Sequence, residues 1–126
     1  MSFSNAFETT VLTWAFTTGS ATRPTAWHLA LFTSNPAEDA SGTEVSGGAY
    51  ARQAATFTVS GNTASNSGAI EYPTATAGYG TVSHVGVFDA SSGGNLISYA
   101  ALTTSKTIDT GDVFRVPAGD LDITLD

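Results

Sequence analysis

Thr81-Val-Ser-His-Val-Gly-Val-Phe88, followed by Asp-Ala-Ser-Ser-Gly-Gly-Asn95 and Leu96-Ile-Ser-Tyr-Ala-Ala-Leu102, is the stretch that decides the fold. It reads as two strands joined by a turn. In the first strand Val85 and Val87 share one face at period two, while Val82, His84 and Phe88 fall on or beside the other. A strand apolar on both faces belongs at the centre of a sheet. The linker holds Gly93, Gly94 and Asn95, residue types that reach positive φ at low steric cost. A core hairpin is therefore expected here.

Working outward, residues 26–32 (Ala-Trp-His-Leu-Ala-Leu-Phe) alternate Trp27, Leu29 and Leu31 against His28, Ala30 and Phe32, again apolar on both sides. His28 is expected to be a satisfied, half-buried histidine, since one histidine without partners builds no site. Residues 49–59 read as one half-buried strand carrying Tyr50 and Arg52. An arginine in so uncharged a chain is expected either to meet a carboxylate, Glu44 or Glu71, or to stand solvated at an edge and blunt strand pairing. Short strands are expected at 69–73, 106–108, 113–116 and 121–125, each bounded by turn residues, with Leu121, Ile123 and Leu125 facing inward and Asp126 closing the chain. Frequent short strands predict a mainly β fold, an antiparallel β-sandwich or jelly-roll-like domain.

Residues 2–16 supply the one expected helix. Asn5 with Glu8 three residues on resembles a capping box, and Phe3, Phe7, Val11 and Trp14 make a stripe expected to be buried. Leu12 and Phe16 lie off that stripe. The helix is thus expected to pack on its own sheet alone, or to touch a neighbouring subunit as well. Its threonines lower helicity and call for tertiary support.

The chain has 126 residues, which predicts a single domain, with a helix at about 4–16 and a β-sandwich at about 26–126. Its formal net charge is −7, with 4 Lys+Arg against 11 Asp+Glu, and only 12% of residues are charged. That sign argues against nucleic acid and anionic membranes as partners, because both need a basic surface. No apolar run approaches the ~20 residues of a spanning helix, and a signal-peptide pattern is lacking. Synthesis in a cytoplasm is expected. A low-charge, hydroxyl-rich surface desolvates cheaply, which suits packing against copies of itself.

Residues 33–48 form a long polar loop with Glu38, Asp39 and Glu44, and loops of this length tend to carry function or contacts. The calcium-loop spacing is absent, so no metal site is expected. Asp109, Asp112, Asp120 and Asp122 crowd the last turns but lack an activating partner, and aspartate is common in turns. No catalytic or dinucleotide motif occurs, so neither enzyme activity nor a cofactor is expected.

Three blocks carry a resemblance: residues 43–53 (Thr-Glu-Val-Ser-Gly-Gly-Ala-Tyr-Ala-Arg-Gln), residues 85–96 (Val-Gly-Val-Phe-Asp-Ala-Ser-Ser-Gly-Gly-Asn-Leu) and residues 104–125, closing on Leu-Asp-Ile-Thr-Leu. Together with the opening helix and the Leu29-Ala-Leu-Phe-Thr33 strand, they resemble a family of small tailed-bacteriophage virion proteins usually labelled phage tail fibre protein. The resemblance implies a structural virion component in capsid or tail, made in the bacterial host. A domain of this length has a radius of gyration of only about 14 Å, so it is too short to be a fibre alone. A fibre module, or a capsid decoration or cement protein, bound to other phage virion proteins as a homo-oligomer, trimer favoured, is the expected role. Interface candidates are Leu12, Phe16, Glu38, Asp39, Glu44, Tyr50, Arg52 and Tyr79. The alternative is a receptor- or carbohydrate-binding tip, with Trp27, Tyr50, Tyr72 and Tyr79 as stacking faces.

Overall fold

The computed structural model describes residues 1–125; Asp126 lies outside the described residues. The hairpin is central, as its two-sided apolarity predicts. Strand β7 (Gly80–Phe88) runs antiparallel to β8 (Leu96–Ile108), and β2 (His28–Phe32) flanks β7 on its other side. A two-residue strand at each edge, β1 (Ser2–Phe3) on β8 and β3 (Gln53–Ala54) on β2, completes a five-stranded sheet in the order β1-β8-β7-β2-β3. A three-stranded sheet, β10-β5-β4, is built from β4 (Phe57–Ser60), β5 (Thr63–Asn66) and β10 (Asp122–Thr124), and β6 (Ile70–Glu71) pairs β9 (Arg115–Val116). Among the described residues all pairings are antiparallel, and the fold is mainly β and sandwich-like with one helix.

Two apolar clusters cover the two faces of the central sheet. Leu29, Leu31, Val85 and Val87 join Tyr72, Ile108 and Phe114 in the main cluster, whereas Ala30, Phe32, Phe88 and Leu96 form the second. Each fully buried Leu or Val here contributes about 1.5–3 kcal/mol relative to exposure. One expected facing is corrected: Val82 lies in the main cluster with Val85, not on the opposite side. The register explains it, passing from His84↔Ala101 to Val82↔Lys106, so residues 102–105 bulge opposite Ser83 and reset the alternation. The same bulge joins the short strand expected at 106–108 to the hairpin strand as a single long β8.

Other corrections are local. Residues 49–59 do not form one strand; Gly47, Gly48 and Ala49 all hold positive φ (75°, 62° and 70°), and only Gln53–Ala54 and Phe57–Ser60 pair. The strand expected at 113–116 shrinks to Arg115–Val116, and Leu125, expected inside, is 55% exposed. His28 is half-buried, yet its Nδ1 finds no partner among the described residues, and nothing in the structure explains this. The long loop returns to the sheet: Val45 N–H donates to Leu31 O at 2.9 Å and Thr33 N–H to Thr43 O at 3.0 Å, so it extends the edge beyond β3.

Helix α1 (Asn5–Phe16) departs most from expectation. Its N-cap is Ser4 rather than Asn5: Ser4 Oγ accepts from Phe7 N–H at 3.2 Å and donates to the Leu96 carbonyl. The preceding residues pair with β8, which removes Phe3 from the helix. Asn5 N–H donates to Glu38 O at 3.1 Å, so the helix root is fixed on three sides. Beyond the root, no α1 residue is buried, and Trp14, expected inside, is 72% exposed.

Candidate functional site

Two features stand out, a polar staple beneath the long loop and the uncovered helix. The staple begins with the left-handed run at residues 47–49, which turns the chain so that Tyr50 and Arg52 reach back to Glu44. Gly48 is required there because a Cβ would sit 2.4 Å from Ala77 O. Arg52 Nε and Nη2 donate to Glu44 Oε2 and Oε1 at 2.9 and 2.8 Å, a bidentate pair, and Tyr50 O–H donates to Oε2 at 2.7 Å. Arg52 Nη1 also donates to the carbonyls of Ala90 and Gly93 at 3.1 and 2.8 Å, in the turn between β7 and β8. Its guanidinium stacks 3.7 Å from the Phe88 ring centroid. A single side chain therefore ties the long loop to the central hairpin.

The Tyr50 ring continues this network into the core, stacked on Tyr72 at 5.9 Å and edge-on to Tyr79 at 5.8 Å. Its hydroxyl accepts from Leu31 N–H at 3.1 Å, serving the β2 edge where β3 stops. Burial alone would raise the Glu44 carboxyl, but the hydrogen bonds from Arg52 and Tyr50 outweigh it and hold Glu44 below its usual range. The hydrogen bond to Glu44 raises Arg52 further against the opposing effect of burial. Burial, reinforced by Glu44, drives the Tyr50 phenol far above its ordinary value, and burial raises Tyr72 and Tyr79 as well. Every polar atom named here is engaged, so the arrangement offers neither a free nucleophile nor a poised acid. Its chemistry is that of a fixed strut.

Of the sequence-predicted interface residues, Glu44, Tyr50 and Arg52 come together, and of the two carboxylates considered for Arg52 it meets Glu44. Tyr79 joins them through the Tyr50 ring but is buried, its hydroxyl donating to Pro73 O at 3.2 Å. Glu38 and Asp39 are exposed beside the helix root, where hydrogen bonds from Ser41 lower the Asp39 carboxyl. Leu12 and Phe16 lie apart, 57% and 81% exposed on α1.

The aromatics expected to offer stacking faces are largely enclosed. Tyr72 and Tyr79 are buried, Tyr50 lies between them, and half-buried Trp27 packs edge-on to Phe57 at 6.5 Å. The sequence reading missed the two carbonyls that Arg52 grips, since backbone acceptors leave no residue-type signal. It also missed the open apolar groove of about 630 Å³ beside α1, lined by Phe3, Phe7, Val11, Trp14, Pro24 and Leu125 among others. Among the described residues no group of three or more His, Cys, Asp or Glu clusters to hold a metal.

No curated protein matches the chain. Residues 2–124 match the family model described as podophage GP4 fiber I protein gp80, and the chain belongs to this family of phage fibre structural proteins.

Proposed function

We propose that the chain is a non-enzymatic, single-domain module of the phage fibre that works by self-assembly, trimer favoured, and by attachment of that assembly to other virion proteins. The observation that supports this reading is α1: a helix rooted firmly on the sheet yet without one buried residue, carrying Leu12, Trp14 and Phe16 into solvent. A helix apolar on more than one side is normally enclosed by protein. The Arg52 strut fits the same role, because a module that transmits contacts from neighbour to neighbour needs its loops held in one geometry.

Light scattering coupled to size exclusion tests the assembly step. A discrete homo-oligomer is expected, and a strict monomer at every concentration overturns the reading. Immunogold labelling of virions tests attachment: label on the fibres is expected, and label confined to the capsid shell moves the protein to a decoration role.

A further inference from the structure

The surface of α1 carries more information than its exposure. At about 100° per residue, Phe7, Val11 and Trp14 lie within about 60° of one another, and Leu12 and Phe16 lie together on the opposite side of the helix. The first set lines the groove, which continues onto Phe3, Pro24 and Leu125. The second set stands free as a knob. Groove and knob are thus separate surfaces, back to back on one helix.

Twelve residues make a marginal helix in water without packing. The threonine hydroxyls of Thr9, Thr10 and Thr17 bond back to the carbonyls of Asn5, Ala6 and Thr13, so they add no outside contact. Phe7, edge-on to Phe3 at 4.9 Å, is the α1 residue packed against the main cluster, and Val11 is half-buried beside it on the same face. Taking ~150–250 Å² per aromatic side chain, the open parts of Trp14, Phe16, Leu12 and Leu125 total roughly 500 Å². With the half-buried groove residues this is the area of both helix faces of one copy, so a contact that takes one face from each of two copies buries less than the ~1,600 Å² total of a standard interface, and a closed ring, in which every copy makes two such contacts, is what holds it. The patch is almost uncharged: Glu8 is the sole acid and no base occurs on α1, and Arg23 borders the groove. Copies of a chain with net charge −7 can therefore meet here without stacking acid on acid, whereas an anionic lipid surface finds no basic stripe on the helix.

We infer that the occupant of the groove is the knob of a second copy: Leu12 and Phe16 of one chain seat against Phe7, Val11 and Trp14 of the next. Because the two surfaces are opposite, the contact is head-to-tail, and each copy has two neighbours. Such contacts close into a ring or run on as a filament, and three copies are the smallest ring, with the helices gathered at its axis. A two-fold dimer would leave one face of every helix bare. This inference rests on the assembly reading above and specifies which surfaces do the joining.

Two exposed positions separate the surfaces without touching the core. Phe16→Glu disables the knob and leaves the groove, and Trp14→Glu disables the groove and leaves the knob. Both variants are expected to keep the wild-type far-ultraviolet circular dichroism and a cooperative urea transition, with the midpoint lower only by what assembly contributes to wild type. Native mass spectrometry is expected to give trimers for wild type, monomers for each variant alone at the same concentration, and a one-to-one heterodimer, never a trimer, when the two are mixed. If both folded variants keep the wild-type oligomer, the seam lies elsewhere and the inference fails while the assembly reading stands. A wild-type dimer, or a mixture that stays monomeric, also overturns it. A wild-type monomer defeats both readings, including the case in which the helix binds only a different virion protein.

Discussion

Replacing Arg52 by Met keeps most of the side-chain volume over Phe88 while removing the charge and every hydrogen bond it donates. The Arg52 side chain is 9% exposed and that of Glu44 26% exposed, so the pair sits between a surface bridge, worth about 0–1 kcal/mol, and a buried one, whose breakage costs about 3–5 kcal/mol. Three further losses push toward the buried limit. The carbonyls of Ala90 and Gly93 lose their donor, and the stacked cation is gone from the Phe88 ring. Water reaching the exposed quarter of Glu44 pulls the other way. About 3 kcal/mol is the expected cost, which for a domain of this length corresponds to a fall of roughly 10 °C in Tm. Urea unfolding followed by circular dichroism measures it, with Glu44→Gln and the double variant completing a cycle. The arginine interacts mainly through Glu44, so the double variant should cost clearly less than the sum of the singles. A loss under about 1 kcal/mol with additive singles would mean that the pair behaves as a solvated surface bridge, and the strut reasoning would be wrong.

Glu44 titrates below its usual value in the folded state, so its stabilisation is fully present above the unfolded pKa and disappears as pH falls through the folded one; urea midpoints of wild type should drop more steeply below about pH 4 than those of Arg52→Met. Tyr50, raised by burial and by Glu44, has the opposite sense: its contribution is present below the unfolded phenol pKa and is lost at alkaline pH, and Tyr50→Phe should shallow that limb without abolishing it, because Tyr72 and Tyr79 are raised too. Gly48→Ala places a Cβ against Ala77 O in a left-handed residue, and a loss of about 2 kcal/mol or more in urea titration is expected; an unchanged midpoint would show that the turn can move.

The central sheet was legible because period-two apolarity on both faces of residues 26–32 and 81–88 has few alternatives to a central strand pair. The partner of Arg52 was half legible, since a lone arginine among small residues must find an acceptor, and Glu44 lies eight residues before it in sequence. The bulge at 102–105 was not, because Leu102, Thr103, Thr104 and Ser105 suit a regular strand as well as an irregular one. The helix cap was misread by one residue. Asn5 and Ser4 are both good caps, and the choice fell to the tertiary bond from Ser4 Oγ to Leu96 O, a contact 92 residues away. Burial of Trp14 was misjudged for a different reason: periodicity identifies an apolar face but does not say whether the covering surface belongs to the same chain.

That last ambiguity ties the two candidate sites together. The helix root and the strut converge on one element, the β7–β8 hairpin: Ser4 holds Ile97 and Leu96 at the start of β8, and Arg52 holds Ala90 and Gly93 in the turn just before it. The polar loop shares both anchors, through Glu44 at the strut and through Glu38 O on Asn5 N–H at the root. The direction of α1 is therefore fixed by the same few residues that order the loop, with little freedom left for the helix to fold down and cover its own apolar faces. A helix that merely lacked a good packing surface would be expected to have a loose root. Here the root is the best-bonded part of the helix and the exposed end the most apolar, which is the polarity that the proposed assembly requires.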